Sequence, residues 1–286
     1  MTINTLAWVT ASNARGLDED EGPALAALAR LGIQVDVVTW DDPGVDWSVF
    51  DRVALRSTWD YAERLPEFSD WLGRVDAVTD LVNPLPAVLW SLDKHYLREL
   101  AAAGVPVTET DFVPPGTSPE FPPGRFIVKP AVGAGSRDTS SYGPAQHSAA
   151  ADHVARLHER DQTVLVQPFV ASVATDGEWP LVFLSGEYSH AASKRVAVPE
   201  AGAIDGLFAA ETNTVHTATP EQIRVAEAAL DVVTARCGPL AYSRVDLVRA
   251  DDGTSQVLEV ELVEPSLFLP YTDPAAATRL ATALVS

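Results

Sequence analysis

The sequence predicts an N-terminal α/β domain with a parallel sheet, followed by two mixed α+β lobes. Three observations predict it. Through the first ninety residues, short apolar runs alternate with helical patterns of about ten residues, the rhythm of strands joined by crossover helices. From residue 91 the rhythm changes to helices interleaved with paired strands. Near the C-terminus, Asp252-Gly253 separates two β-patterned runs, a strong hairpin turn signal. The expected divisions are residues 1–90, 91–170 and 171–286.

Taken in order, Leu6–Thr10 reads as a strand, Gly22–Leu31 as a helix and Val35–Trp40 as a second strand. Arg52–Ser57 is a third strand, Leu65–Val75 a helix and Leu81–Asn83 a short fourth strand. In such a sheet, ligands sit beyond the carboxyl ends of the strands. Leu92–Ala103 predicts a helix with Leu97, Leu100 and Ala101 on one face. The Pro-rich stretch Val113–Gly124 is a connector, and Arg125–Pro130 is a strand entering a glycine loop. His147–Arg160 is helical and Thr163–Val170 is a strand. Trp179–Val198 predicts a hairpin turning at Ser185-Gly186, Pro220–Arg236 a long amphipathic helix, Ala241–Val263 a second hairpin and Pro274–Val285 a closing helix.

Composition narrows the function. A formal net charge of −20 argues against nucleic-acid binding, which needs clustered Lys and Arg to neutralise phosphates, and against docking on anionic lipid. Cys237 is alone, so there is no disulfide framework and no multi-cysteine metal site. The start, MTINTLAWVTASN, has neither a basic leader nor an apolar run long enough for a signal peptide, and no stretch approaches the ~20 apolar residues of a membrane span. The expectation is a soluble cytoplasmic protein.

Lysine is rare: Lys94, Lys129 and Lys194 stand against seventeen arginines. A residue avoided elsewhere persists where Arg would fail, and a compact ammonium suits a single phosphate oxygen better than the planar guanidinium fork. Drift in a lysine-poor composition is the alternative, so their surroundings decide. Lys129 precedes a loop, VGAGSRDT (132–139), whose Gly133 and Gly135 permit close backbone approach to phosphate and whose Ser136 adds a donor. Taken alone the pattern is weak, and an ordinary β-turn is the simpler explanation of that loop. The lysine precedes the glycines, so this is not a Walker A loop.

The most specific geometry is the second hairpin. Centred on Asp252-Gly253, it pairs Arg244 with Glu261 and Asp246 with Glu259, and alternation puts all four on one face. Val245, Leu247, Leu258 and Val260 take the other face. Three carboxylates so close repel one another. Either the face is solvated or a divalent cation sits there, and hard oxygen donors without His or Cys favour Mg²⁺.

In sequence order these parts resemble the ATP-grasp superfamily, which includes D-alanine–D-alanine ligase, glutathione synthetase and the glutamate ligases that modify a ribosomal protein. The resemblance covers nearly the whole chain and implies two lobes clasping ATP. It implies phosphate contacts from Lys94 and Lys129, a covering loop through Gly133, Gly135 and Ser136, and adenine contacts from Gln167 to Val170, including Phe169. Glu178 is the implied ribose contact, and Asp246, Glu259 and Glu261 the Mg²⁺ ligands. Lys194-Arg195 and Asn213 match a basic pair and an asparagine of the ribosomal-protein-modifying branch. Two departures stand out: position 261 is Glu where most members have Asn, and the hinge lacks the acidic residue that many place at its start. Whether Glu264 also binds metal stays open.

Within the superfamily, the strings LRSTWDY (55–61), VGAGSRDT (132–139) and LEVELVEPSLFL (258–269) resemble the D-cycloserine synthetase subgroup, which are O-ureido-D-serine cyclo-ligases. That implies an amino-acid-like small-molecule substrate held by Arg56, Ser57, Trp59, Asp60, Arg137, Asn213 and Ser266. For Arg56, Trp59 and Asp60, a structural salt bridge under an aromatic is the competing reading. The implied chemistry is carboxylate activation as an acylphosphate, with Lys194 or Arg195 near the γ-phosphate or substrate carboxylate and Arg244 stabilising the oxyanion. Rival expectations are an intermolecular amino-acid or peptide ligase, a small-molecule kinase, and a non-catalytic ATP sensor. A homodimer is a superfamily-level expectation.

Overall fold

The computed structural model describes residues 3–201 and 209–286. Its first sheet is built from β1 (Thr5–Thr10), β2 (Gln34–Thr39), β3 (Arg52–Ser57) and β4 (Asp80–Leu81), with α1 (Glu21–Arg30) and α2 (Leu65–Asp76) in the crossovers. The strands are parallel in the order β2-β1-β3-β4. β1 and β3 are buried along nearly their whole length, which explains their unbroken apolar character. α2 buries Phe68, Trp71, Leu72 and Val75, an i, i+3, i+4, i+7 stripe. Phe68 meets Trp40 edge-on at 5.3 Å, and each such buried side chain is worth ~1.5–3 kcal/mol.

Next come α3 (Leu85–Leu92) and α4 (Tyr96–Ala102). Here the expectation of one helix over Leu92–Ala103 is corrected. Asp93 adopts an extended backbone and its Oδ1 accepts the His95 N–H at 3.0 Å, so Asp93 and Lys94 form a break between two helices. The central sheet contains β5 (Asp111–Val113), β6 (Phe126–Pro130), β7 (Ser140–Tyr142) and β8 (Val164–Pro168), antiparallel in the order β5-β8-β6-β7, with α5 (His147–His158) preceding β8. β5 and β7 are additions to the sequence reading; each has three residues, too few to display a period.

The last sheet follows the short α6 (Ser172–Asp176). Its strands are β9 (Trp179–Leu184), β10 (Glu187–Val196), β11 (Glu211–His216), β12 (Tyr242–Arg249) and β13 (Ser255–Glu261), antiparallel in the order β11-β10-β9-β12-β13. α7 (Pro220–Cys237) starts at a capping box, in which Thr219 and Gln222 exchange side-chain and backbone bonds. α8 (Ala276–Val285) closes the chain. Among the described residues no helix is long and apolar enough to cross a membrane.

The β12–β13 register pairs Arg244 with Glu261 and Asp246 with Glu259, as expected, but by a different route. Ala250 N–H bonds Thr254 O at 2.8 Å, so the turn spans three residues, and β13 then carries a bulge at Leu258 that restores the register. Val257 takes the apolar side opposite Leu247, and Leu258 turns to the cavity instead of the core.

The first and last sheets share one core. Leu280, Ala281 and Leu284 of α8 pack with Leu6, Trp8 and Leu28. Asn83 donates to Tyr242 O and Leu262 O, both at 2.8 Å, and accepts from Ala241 N–H at 2.9 Å. Arg56 is fully buried, with its guanidinium 5.3 Å from the centres of the Trp8 and Tyr242 rings. It donates to Pro265 O at 2.9 Å and pairs with Asp20, which itself accepts from Leu267 N–H and Leu269 N–H. Arg56→Met strands the Asp20 charge, so a loss of about 3–5 kcal/mol is expected in urea unfolding. A change below about 1 kcal/mol would contradict that role.

Candidate active site

All three sheets contribute to one cavity of about 450 Å³. Asp18 and Trp59 reach it from beyond the carboxyl ends of β1 and β3, where an α/β sheet holds its ligands. All three lysines line it. Lys94 stands in the α3–α4 break, where its N–H bonds Ala131 O at 3.0 Å and its Nζ donates to Gly133 O at 3.1 Å. Lys129 on β6 pairs with Glu259 at 2.7 Å. Lys194 on β10 bridges Glu178 at 2.8 Å and Asp246 at 2.9 Å. Gly177 makes room for that bridge: with φ at +78°, an added Cβ would lie 2.6 Å from Lys194 O.

Burial and charge compete at each carboxylate. Burial works to raise Glu259, but the Lys129 and Lys94 ammoniums outweigh it and hold the carboxyl well below the usual range. Asp246 is also held low, because Arg244 and Lys194 overcome its desolvation. Glu178 and Glu261 go the other way: burial raises both, against the opposing charges of Lys194 and Arg244. Arg244 bonds Asp246 through two nitrogens at 2.7 and 3.0 Å, pairs with Glu261 and donates to Ser266 O at 3.0 Å.

These carboxylates fit a Mg²⁺ ion unequally. Glu259 and Glu261 line the cavity, with side chains 21% and 31% exposed. They offer the hard oxygen donors that Mg²⁺ takes. The Asp246 side chain is 1% exposed, lies behind the cavity wall, and has both oxygens committed to Arg244 and Lys194. Among the described residues, no three His, Cys, Asp or Glu side chains are gathered into a metal-binding group. Asp246 therefore reaches a metal only if one of its cations lets go.

The glycine loop and the segment 167–170 both line the cavity. Gly133, Gly135, Ser136 and Arg137 are among its lining residues, and Arg137 pairs with Glu63 beyond β3. Gln167, Phe169 and Val170 line it as well. The Gln167 side chain is occupied by Thr110 Oγ1 at 2.8 Å, and Phe169 N–H by Arg125 O at 2.8 Å. Asn213 lies opposite Lys194 in the β10–β11 pairing and reaches the cavity, as does Ser266.

Besides Asp246, four expected residues lie off the cavity wall. Arg195 alternates away from Lys194 along β10, is exposed, and donates to Thr175 O at 2.6 Å. Arg56 has the structural partners described above. The Ser57 hydroxyl donates to Thr10 Oγ1 at 2.7 Å, and Asp60 accepts from Trp40 Nε1 at 2.9 Å. Within LRSTWDY, Trp59 and Tyr61 are the residues that reach the cavity. Sequence reasoning missed Asp18, Tyr96, Phe268 and Tyr271, and left Glu264 open. The acidic run Asp18-Glu19-Asp20-Glu21, just past the first strand, was a legible signal.

A family model for the N-terminal domain of D-cycloserine synthetase DcsG matches residues 6–83. Over 295 aligned residues the chain is 41% identical to the cycloserine biosynthesis protein DcsG of Streptomyces lavendulae, covering 99% of this chain and 98% of that protein. The chain belongs to the D-cycloserine synthetase family. The crystal structure of D-cycloserine synthetase DcsG superposes with a TM-score of 0.91 at 40% identity, covering 99% of each chain. The ATP-grasp ligase PsnB, complexed with a phosphomimetic precursor variant, Mg and ADP, is similar in fold. It gives a TM-score of 0.62 at 18% identity, over 100% of this chain and 99% of that one. The fold is that of the ATP-grasp ligases, and this D-cycloserine synthetase family member is a ligase.

Proposed function

We propose that the protein uses ATP and Mg²⁺ to close O-ureido-D-serine to D-cycloserine, in the cytoplasm and as part of antibiotic biosynthesis. One observation carries this reading: Lys94 and Lys129 converge with Glu259 and Glu261 in one cavity, in a chain 41% identical to a cycloserine biosynthesis protein. The three sheets would act as lobes meeting near residues 90 and 170. Lys94 and Lys129 would hold α- and β-phosphate oxygens, the 133–137 loop would cover them, and the 167–170 strand end would flank the base, with Glu178 near the ribose. Glu259 and Glu261 would hold Mg²⁺, joined by Asp246 on release from its cations; a bound Mg²⁺ supplies neutralising charge for the phosphates.

In the first step a substrate carboxylate oxygen attacks the γ-phosphorus, giving an acylphosphate and ADP. The ureidooxy nitrogen of the same molecule then attacks the acyl carbon, and phosphate leaves with the carboxylate oxygen. Arg244 would stabilise the oxyanion and Lys194 would steady the transferring group. Hydrolysis of the carbamoyl group consumes one water and yields CO₂ and ammonia. Because nucleophile and electrophile share one molecule, the site's main task is to hold a near-attack geometry and exclude water. With ¹⁸O-labelled substrate carboxylate, one label is expected in the released phosphate. Phosphate without label would rule out the acylphosphate.

A further inference from the structure

Glu264 faces the cavity, is 7% exposed, and has no part in the chemistry above. Among the described residues, no group of another residue hydrogen-bonds or ion-pairs with its carboxyl. The nearby cations are otherwise engaged: Arg244 with Asp246, Glu261 and Ser266 O, Lys129 with Glu259, and Lys94 with Gly133 O. A second carboxyl is only half satisfied: Asp18 Oδ1 accepts from Asp20 N–H at 3.0 Å. The Asp18 side chain is 2% exposed, its Oδ2 has no hydrogen-bond partner, and the Arg56 Nε is 4.0 Å away. Asp18 lines the same cavity.

The loops that carry the two carboxyls are tied together. Asp20 accepts from Leu267 N–H and Leu269 N–H, Arg56 donates to Pro265 O, and Trp59 Nε1 donates to Glu264 O at 3.3 Å. The segments that carry the two carboxyls are therefore braced together beside the Trp59 indole, a setting suited to an ammonium. Burial pushes Glu264 up to about 8 and Asp18 to about 6, and the cations nearby, Lys94 and Arg244 for Glu264 and Arg56 for Asp18, do not offset it. Buried acidic groups left without a partner in a cleft mark a place where a ligand supplies one.

We propose that Glu264, backed by Asp18, receives the α-ammonium of the amino-acid substrate. This deepens the activity proposed above and rests on it. The α-ammonium takes no part in ring closure, yet its position fixes the α-carbon. Held there, the substrate can direct its carboxylate to the phosphate end of the cavity and fold its ureidooxy nitrogen back towards the acyl carbon. The subsite makes the enzyme selective for α-amino acids over acids without the amino group.

The test compares O-ureido-D-serine with its deaminated analogue, 3-(ureidooxy)propanoate, in the wild-type protein and Glu264→Gln. The wild type is expected to prefer the amino substrate strongly in kcat/KM. Glu264→Gln should reduce that preference roughly 10- to 100-fold, through KM, because a charge-assisted hydrogen bond is lost. The ATP KM and melting temperature should hold, and Glu264→Asp should recover part of the preference. An unchanged preference, or an equal fall for both substrates, overturns the subsite. If the wild type makes no ring product, the activity reading fails separately. Calorimetry of the same two compounds, with a non-hydrolysable ATP analogue and Mg²⁺, then reads the preference directly. Equal binding, or none, overturns the subsite as well.

Discussion

Glu259→Gln is expected to lower turnover by about three orders of magnitude while the protein stays folded at the assay temperature. Glu259 is the partly exposed carboxylate that Lys129 and Lys94 keep ionised against its own burial. The amide keeps the side chain's size but removes the charge that would hold Mg²⁺ and, through it, the triphosphate. Such charge stabilisation is worth several kcal/mol, and each ~1.4 kcal/mol is tenfold in rate. Lys129 loses its ionic partner, so a somewhat lower melting temperature is expected alongside. Asp246→Asn should also abolish turnover, with a larger stability loss, because the buried Asp246 joins Arg244 and Lys194. Steady-state kinetics with circular dichroism separates the two effects. Activity within tenfold of wild type in both variants would remove the proposed metal site.

Lys129→Met is expected to lower kcat/KM for ATP by about 10²- to 10³-fold, as removal of a preorganised phosphate contact does. Methionine retains the packing of the stem and removes only the ammonium. A second signature comes from Glu259. Lys129 is the largest influence lowering its pKa, and without it the carboxyl rises. A group held low in the native protein stays ionised far into the acid range, so raising its pKa shortens that range. The acid limb of the pH–rate profile should therefore move to higher pH in the variant. A variant with wild-type ATP KM and an unmoved acid limb would show that Lys129 neither binds phosphate nor sustains Glu259.

Much of the site was legible because strand alternation is unforgiving. The turn chemistry suggested a two-residue loop and the protein uses three, yet the bulge at Leu258 restores the pairing of Arg244 and Asp246 with their partners. A pattern of four polar residues on one face specified that register more strongly than the turn did. The three rare lysines share one cavity. Less legible were features set by tertiary partners. The break at Asp93 depends on a local side-chain bond that competes with the helix. The edge strand β11, with its polar Thr-Asn-Thr sequence, carries no apolar alternation. In LRSTWDY, position alone placed the string at a strand's carboxyl end. It could not say that Arg56, Ser57 and Asp60 turn inward to Pro265, Thr10 and Trp40 while Trp59 and Tyr61 face the cavity.

Ring closure within one molecule can be read directly by mass spectrometry. After incubation with ATP, Mg²⁺ and O-ureido-D-serine, D-cycloserine and ADP should accumulate in equal amounts, with no product joining two substrate molecules. ADP accompanied by a joined amide would mark an intermolecular ligase. Absence of both ADP and ring product would contradict the substrate assignment altogether.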